Sequence, residues 1–229
     1  MITIYTITYN ESHIIEYFIK WYRDRFKDCK IVVYDNESTD NTKEIAESLG
    51  CEVITYSTNN KLSDSKYLEI KNNVWKQAKT DWVIVCDVDE FLEVNESHLN
   101  TNQTLYKAKG FNMFNLDNLE DITQVQYGLE AIQYDKTILF NKRYIKEINY
   151  GAGCHTCNPS GDIIYTDINP PLYHMKFLNV DLLVEKYKSY ASRLSDENLR
   201  MKWGYHYQQA EQDIRDSFHN WSKIVKIVR

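Results

Sequence analysis

The sequence predicts an α/β fold: a mostly parallel sheet flanked by helices, with a C-terminal helical appendage. Three observations carry this expectation. Short β-branched apolar runs alternate with amphipathic helical stretches up to about residue 90, the pattern of strand–helix–strand crossovers. Beyond residue 91 that rhythm gives way to closely spaced extended segments. From Val180 onward, Leu182, Leu183, Tyr187, Tyr190 and Leu194 recur at helical spacing.

The elements follow in order. Ile2 to Thr8 reads as a strand, and Asn10 or Ser12 can cap a helix whose stripe is Ile14, Ile15, Phe18, Ile19 and Tyr22. Ile31 to Tyr34 is a second strand, ending at Asp35. The polar loop Asn36–Asp40 leads to a short helix capped by Thr39 or Asp40 and closed near Leu49, with Gly50 suited to the left-handed position after it. Glu52 to Tyr56 is a third strand, Ser63 or Asp64 opens a helix to about Ala78, and the strand at Trp82 follows. Parallel sheets bind ligands beyond the carboxyl ends of their strands. Residues 8–11, 35–40 and 87–90 should therefore meet at one cleft.

Later segments read as a strand from Phe111 to Leu116 and an antiparallel pair, Lys136–Asn141 with Tyr144–Asn149. Extended pieces at Asp162–Tyr165 and Leu172–Phe177 follow, and a last helix is expected from His206 to Val228. Without internal repeats or low-complexity stretches, residues 1–178 read as one domain and 179–229 as its helical extension.

Composition narrows the class. The 229 residues carry 27 basic and 33 acidic side chains, a net charge of -6, and no Lys/Arg-rich block, which argues against a nucleic-acid partner. Apolar runs fall well short of a bilayer crossing, though peripheral attachment to a membrane stays compatible. Residues 1–8 lack the basic start and cleavage site of a secretory signal, so a soluble, cytoplasmic protein is expected. The five cysteines, an odd number placed mostly in apolar strands, fit reduced core thiols. Cys154 and Cys157 form a C-x-x-C pair, but the second pair of a zinc ribbon and the histidine of a haem site are missing.

The chemistry concentrates in Asp81–Phe91. An apolar run, Trp82 to Cys86, ends in Asp87-Val88-Asp89-Glu90. Unpaired carboxylates are costly to bury, so these should sit at the strand exit beside a compensating charge. Residues i and i+2 of an extended segment share a side, which would aim Asp87 and Asp89 at one cation. Hard oxygen ligands suit Mn²⁺ or Mg²⁺, ions that keep positions open for water and phosphates. A haloacid-dehalogenase pattern, with Asp87 as a phosphorylated nucleophile, is the chief competitor. Phe91 in its fifth position and its place on the fourth strand count against it.

Thr8-Tyr9-Asn10-Glu11, Tyr34-Asp35-Asn36-Glu37-Ser38-Thr39-Asp40 and Asp87-Val88-Asp89-Glu90-Phe91, in this order, resemble the family 2 glycosyltransferases of GT-A fold, in the branch with an Asp-x-Asp-Glu-Phe motif. The resemblance is close over residues 1–95 and looser at Gly153-Cys154-His155 and Leu172-Tyr173-His174-Met175-Lys176. It implies a nucleotide-binding half, 1–95, and an acceptor half, 96–178. It also implies a metal-dependent transfer, with inversion, from a nucleotide-diphosphate sugar, UDP-sugars favoured, to a glycan, lipid-linked saccharide or protein.

Residue by residue, the resemblance implies that Thr8, Tyr9, Asn10 and Glu11 line the nucleotide pocket and that Asp35, with Asn36, reads a uracil-like base. Asp87 and Val88 would lie against the nucleotide sugar, and Asp87, Asp89 and His174 would hold the metal. Lys136, His155 and Lys176 are candidates for the diphosphate or sugar, with a satisfied strand histidine as the alternative at His174. Inversion needs a general base, sought among Asp117, Glu120 and Asp121, with Asp117 first because it follows a predicted strand. A phosphotransferase using Asp87 and a non-catalytic nucleotide-sugar module remain the competing functions.

Overall fold

Strand β1 (Ile2–Thr8) is buried along its whole length: neighbouring strands pair with both edges, and separate apolar clusters take Ile2 and Ile4 on one face and Tyr5 and Ile7 on the other. The structure, a computed structural model, describes residues 1–99 and 102–229. β2 (Cys29–Asp35), β3 (Glu52–Thr55) and β4 (Trp82–Asp87) complete a parallel set in the order β3-β2-β1-β4. Helices α1 (Ile15–Arg25), α2 (Thr42–Ser48) and α3 (Asp64–Asn73) make the crossovers. The helix expected to reach Ala78 tightens into a 3₁₀ turn at Val74–Gln77.

After β4 come the short strands β5 (Glu90–Leu92) and β6 (Leu105–Tyr106), then β7 (Lys109–Phe114), β8 (Tyr127–Glu130) and β9 (Leu139–Asn141). β10 (Ile145–Glu147), β11 (Ser160–Gly161), β12 (Pro171–Phe177) and β13 (Lys226–Ile227) complete the strands. β9 joins β4 antiparallel and β6 joins β9, extending the first sheet. A second sheet runs β13-β8-β7-β12-β5.

The predicted hairpin of residues 136–141 with 144–149 is not formed. Leu139 and Phe140 are fully buried and enter the first sheet, whereas β10 exposes Lys146 and Glu147 and pairs at the surface with β11. The expected last helix is also interrupted. A 3₁₀ turn at Tyr205–Gln208 precedes α6 (Glu211–Ser222), and Lys226–Ile227 turns extended to satisfy the open edge of β8.

The core is built around α1. Its stripe buries Phe18, Ile19, Trp21 and Tyr22, and these rings meet Phe91 of β5 and Tyr173 of β12. Trp21 Nε1 donates to the Leu92 carbonyl at 2.9 Å and the Tyr22 hydroxyl donates to the Glu90 carbonyl at 3.0 Å. The helix thereby fixes the strand that follows the acidic turn.

The C-terminal helices pack against the second sheet. Helix α4 (Val180–Arg193), capped by Asn179, packs Leu183, Val184 and Tyr187 with Phe114, Phe177 and Ile214. Main-chain bonds from Leu62 N to Arg193 O (2.6 Å) and from Ser195 N to Leu62 O (3.0 Å) stitch it to the loop before α3. α5 (Asp196–Met201) buries Asn198, which donates to Asp64 Oδ2 at 2.6 Å. No helix among the described residues is long and apolar enough to cross a membrane.

Candidate active site

A cleft opens at the carboxyl ends of β1 and β4, roofed by α4 and the Tyr205–Gln208 turn. Thr8, Tyr9, Glu11, Asp87, Val88, Asp89, Lys136, His155, His174 and Lys176 all line it, so residues far apart in sequence do meet. The chain turns at Val88–Asp89, and this separates the two aspartates. Asp87 points to Lys71 and Lys136, Asp89 to His174 and Lys186. The same-side expectation for the pair is corrected, because that argument holds only for an extended segment.

Asp87 and Glu90 form an ion cluster with the lysines. Lys71 donates to Asp87 Oδ1, Lys136 lies 3.3 Å from its Oδ2, and Lys136 also donates to Glu90 Oε1. Burial alone would raise the Asp87 carboxyl, but the two ammonium groups outweigh it and hold it well below the carboxylate range. Burial pushes Glu90 up to about 7, against the pull of Lys136. Lys136 is thus committed to neighbouring carboxylates, and an Asp87 gripped twice is not free to attack phosphorus.

Strand register sets the other end. His174 of β12 pairs with Glu90 on one side and Asn112 on the other. His174 Nδ1 lies 2.8 Å from Asn112 Oδ1, and its Nε2 lies 3.5 Å from Asp89 Oδ2. Burial lowers this imidazole to about 4, so it is neutral at pH 7. Lys186 bridges Asp89 Oδ2 (3.2 Å) and Glu11 Oε1 (2.9 Å). Burial would raise Asp89, yet Lys186 and His174 hold it well below its ordinary value.

The donor set of Asp89 and neutral His174 fits a Mn²⁺-like cation, an oxygen and an imidazole nitrogen converging on one point. Among the described residues no group of three or more His, Cys, Asp or Glu is placed to hold a metal. Lys176 contributes charge without an ion pair among the described residues. It lies against the rings of Phe177, Tyr187 and Tyr207, and burial lowers it to about 8.

Other candidates stand elsewhere. Asp35 is buried and turned inward, accepting from Thr8 Oγ1 (3.1 Å), Ser38 N (3.0 Å) and Ser38 Oγ (2.5 Å), so it fastens the strand ends and does not face the cleft. Asn36 bonds Thr58, and Asn10 holds the 39–40 turn through its side-chain oxygen. Asp117 and Glu120 are exposed on the loop after β7. Asp121 caps the next turn and meets Lys20 on the outer side of α1 at 3.4 Å. That loop packs against α1, where the Tyr17 hydroxyl donates to the Glu120 carbonyl at 2.8 Å. None of the three acids reaches the cleft, which corrects the expected base.

Sequence reasoning missed Lys71, Asp64, Lys186, Tyr190 and Tyr207, all lining the cleft. A lysine following Ile70 on the inward side of α3 was the one readable signal. It missed Arg193 as well, whose guanidinium covers the Tyr9 ring at 3.1 Å from its centre.

Residues 3–99 match the model of Glycosyl transferase family 2. The match covers less than half of the chain, and it is that segment which is similar to family 2 glycosyltransferases. Over 213 residues it is 26% identical to an uncharacterized glycosyltransferase of Rickettsia bellii (strain RML369-C), spanning 87% of this chain and 68% of that one. Among solved structures it is similar to S. aureus TarS 1-349 in complex with UDP-GlcNAc (TM-score 0.45, 15% identity, 84% of this chain and 66% of that one). It is also similar to glucosyl-3-phosphoglycerate synthase of Mycobacterium tuberculosis, in complex with Mn²⁺, UDP and phosphoglyceric acid (TM-score 0.34, 19% identity, 49% and 43%). The chain therefore spans less than two thirds of these solved chains. The family 2-like segment supplies Thr8, Tyr9, Glu11, Lys71, Asp87 and Asp89. His155, His174, Lys176 and Lys186 come from beyond it.

Proposed function

We propose that the chain transfers a sugar from a nucleoside-diphosphate sugar to an acceptor hydroxyl, with inversion, as a divalent-cation-dependent glycosyltransferase. The observation that carries this reading is the Asp89–His174 pair beside the unpaired Lys176, in a cleft at the carboxyl ends of β1 and β4. Asp89 and His174 would hold the cation, which when bound offsets charge on the departing diphosphate. Lys176 offers a second positive charge to the same oxygens, in a site where burial strengthens it. The Tyr9 ring, backed by Arg193, offers a flat face to a base or ribose. The acceptor is a glycan, a lipid-linked saccharide or a protein.

Thermal denaturation with UDP-sugars, with and without Mn²⁺, tests this. A ligand that binds only the native chain raises its melting temperature. The expected result is a shift that needs both sugar nucleotide and Mn²⁺ and that Asp89→Asn abolishes. A shift unchanged in excess chelator would remove the cation from the reading. Donor binding without turnover would favour the non-catalytic module.

A further inference from the structure

Sugar transfer needs a group that takes the acceptor proton, and Asp117, Glu120 and Asp121 lie outside the cleft. The carboxylates lining it each meet a cation or donor: Glu11 meets Lys186 and Tyr190 through Oε1, with Oε2 buried 3.7 Å from His13, Asp87 meets Lys71 and Lys136, Asp89 meets Lys186, and Asp64 meets Asn198. His155 differs. Its Nδ1 lies 2.6 Å from the Gln133 carbonyl, which can only accept, so the ring proton sits on Nδ1 and the Nε2 lone pair is left over. No hydrogen bond reaches Nε2 among the described residues.

The turn around this ring is built for it. Gly153 and Cys154 both have positive φ, 64° and 55°, a strained pairing of the kind found at functional sites. A side chain at Gly153 would stand 2.6 Å from His155 Nε2 and Cδ2, so glycine alone leaves the ring its place. His155 meets the edge of Tyr134 with ring centres 5.3 Å apart, and Tyr134 stacks on His174 at 3.9 Å. The imidazole and the Asp89–His174 pair therefore flank one tyrosine within the same cleft.

We propose that His155 Nε2 is the general base of this transfer, an assignment that rests on the glycosyltransferase reading. The acceptor oxygen bonds to the anomeric carbon while its proton passes to Nε2. The bond from that carbon to the phosphate oxygen breaks, and its electron pair leaves with the nucleoside diphosphate. The imidazolium then returns the proton to solvent. Gln133 holds the tautomer, as the third group does in base-activated sites.

The test uses the full chain, UDP-glucose and UDP-GlcNAc as donors, and water as the acceptor, with UDP release as the rate. In His155→Ala and His155→Gln the rate should fall about 10²–10⁴-fold, while the UDP-induced thermal shift stays at the wild-type value. Added imidazole should restore part of the rate in His155→Ala. Wild-type turnover in both variants would overturn the assignment. So would loss of UDP binding in proportion to rate, or a loss found in Asp64→Asn and absent from the His155 variants. A wild-type chain that neither binds UDP nor consumes these donors overturns the transfer reading itself, and with it this assignment.

Discussion

Single lysines decide the electrostatics of the cleft, and they do so differently. The side chains of Lys136 and Glu90 are each 1% exposed, and Lys136 serves two carboxylates. Removing one partner of a buried pair strands the other charge, at about 3–5 kcal/mol. Lys136→Met should therefore lower unfolding free energy by about that amount in urea titration. A change within ~0.5 kcal/mol would mean the cluster is hydrated and weak. Lys186 is instead shared between Glu11 and Asp89, where a cation would compete with it. Lys186→Gln removes a rival positive charge from Asp89, so Mn²⁺ should bind the variant more tightly in calorimetry. Weaker binding would mean that Lys186 helps to build the cation site.

At the scale of elements, three residues of β5 hold the acidic turn in place. Phe91 is fully buried and packs its ring 5.4 Å from that of Trp21. Deleting an aromatic ring from such a core costs about 3–5 kcal/mol. Phe91→Ala should destabilise by that much in urea and also weaken any Mn²⁺-dependent shift, since Asp89 and Glu90 lie on the same short segment. A loss of stability with the Mn²⁺ shift intact would separate turn geometry from core packing. The alternating half, β1 to β4, was legible because buried parallel strands and one-faced helices leave strong periodic signals. β5 was not, because three residues behind an acidic turn carry no period. Lys186 and Tyr190 read as ordinary members of an amphipathic helix, and only the docking of α4 onto the Leu62 loop turns them to the cleft. Asp117 misled for a similar reason. A carboxylate after a strand reads as a cleft residue, yet this loop packs on α1 and its acids do not line the cleft.

Across the whole molecule, several imidazoles are held neutral in the fold, and acid should expose this. Burial lowers His13, His174 and His206 to about 4, and it lowers His155 as well. The unfolded chain titrates its histidines near 6.5. Between about pH 6.5 and 4 the unfolded state therefore binds more protons than the folded one, and stability falls as pH falls. Glu90, raised to about 7, and Glu11 and Asp64, also raised, act with the opposite sign, since the folded state takes up their protons first. Four histidines against three carboxyls leave the imidazoles ahead. Asp87 and Asp89, held low by their cationic partners, add a further loss only below about pH 4. The melting temperature should thus begin to drop near pH 6.5, well above the carboxylate range, and drop again below about 4. His206 and His13 are the ones to vary, because both lie outside the proposed cation and base positions. The double variant His13→Gln, His206→Gln should flatten the upper limb in scanning calorimetry while leaving the lower one. An unchanged upper limb would assign the acid sensitivity to the cleft histidines instead.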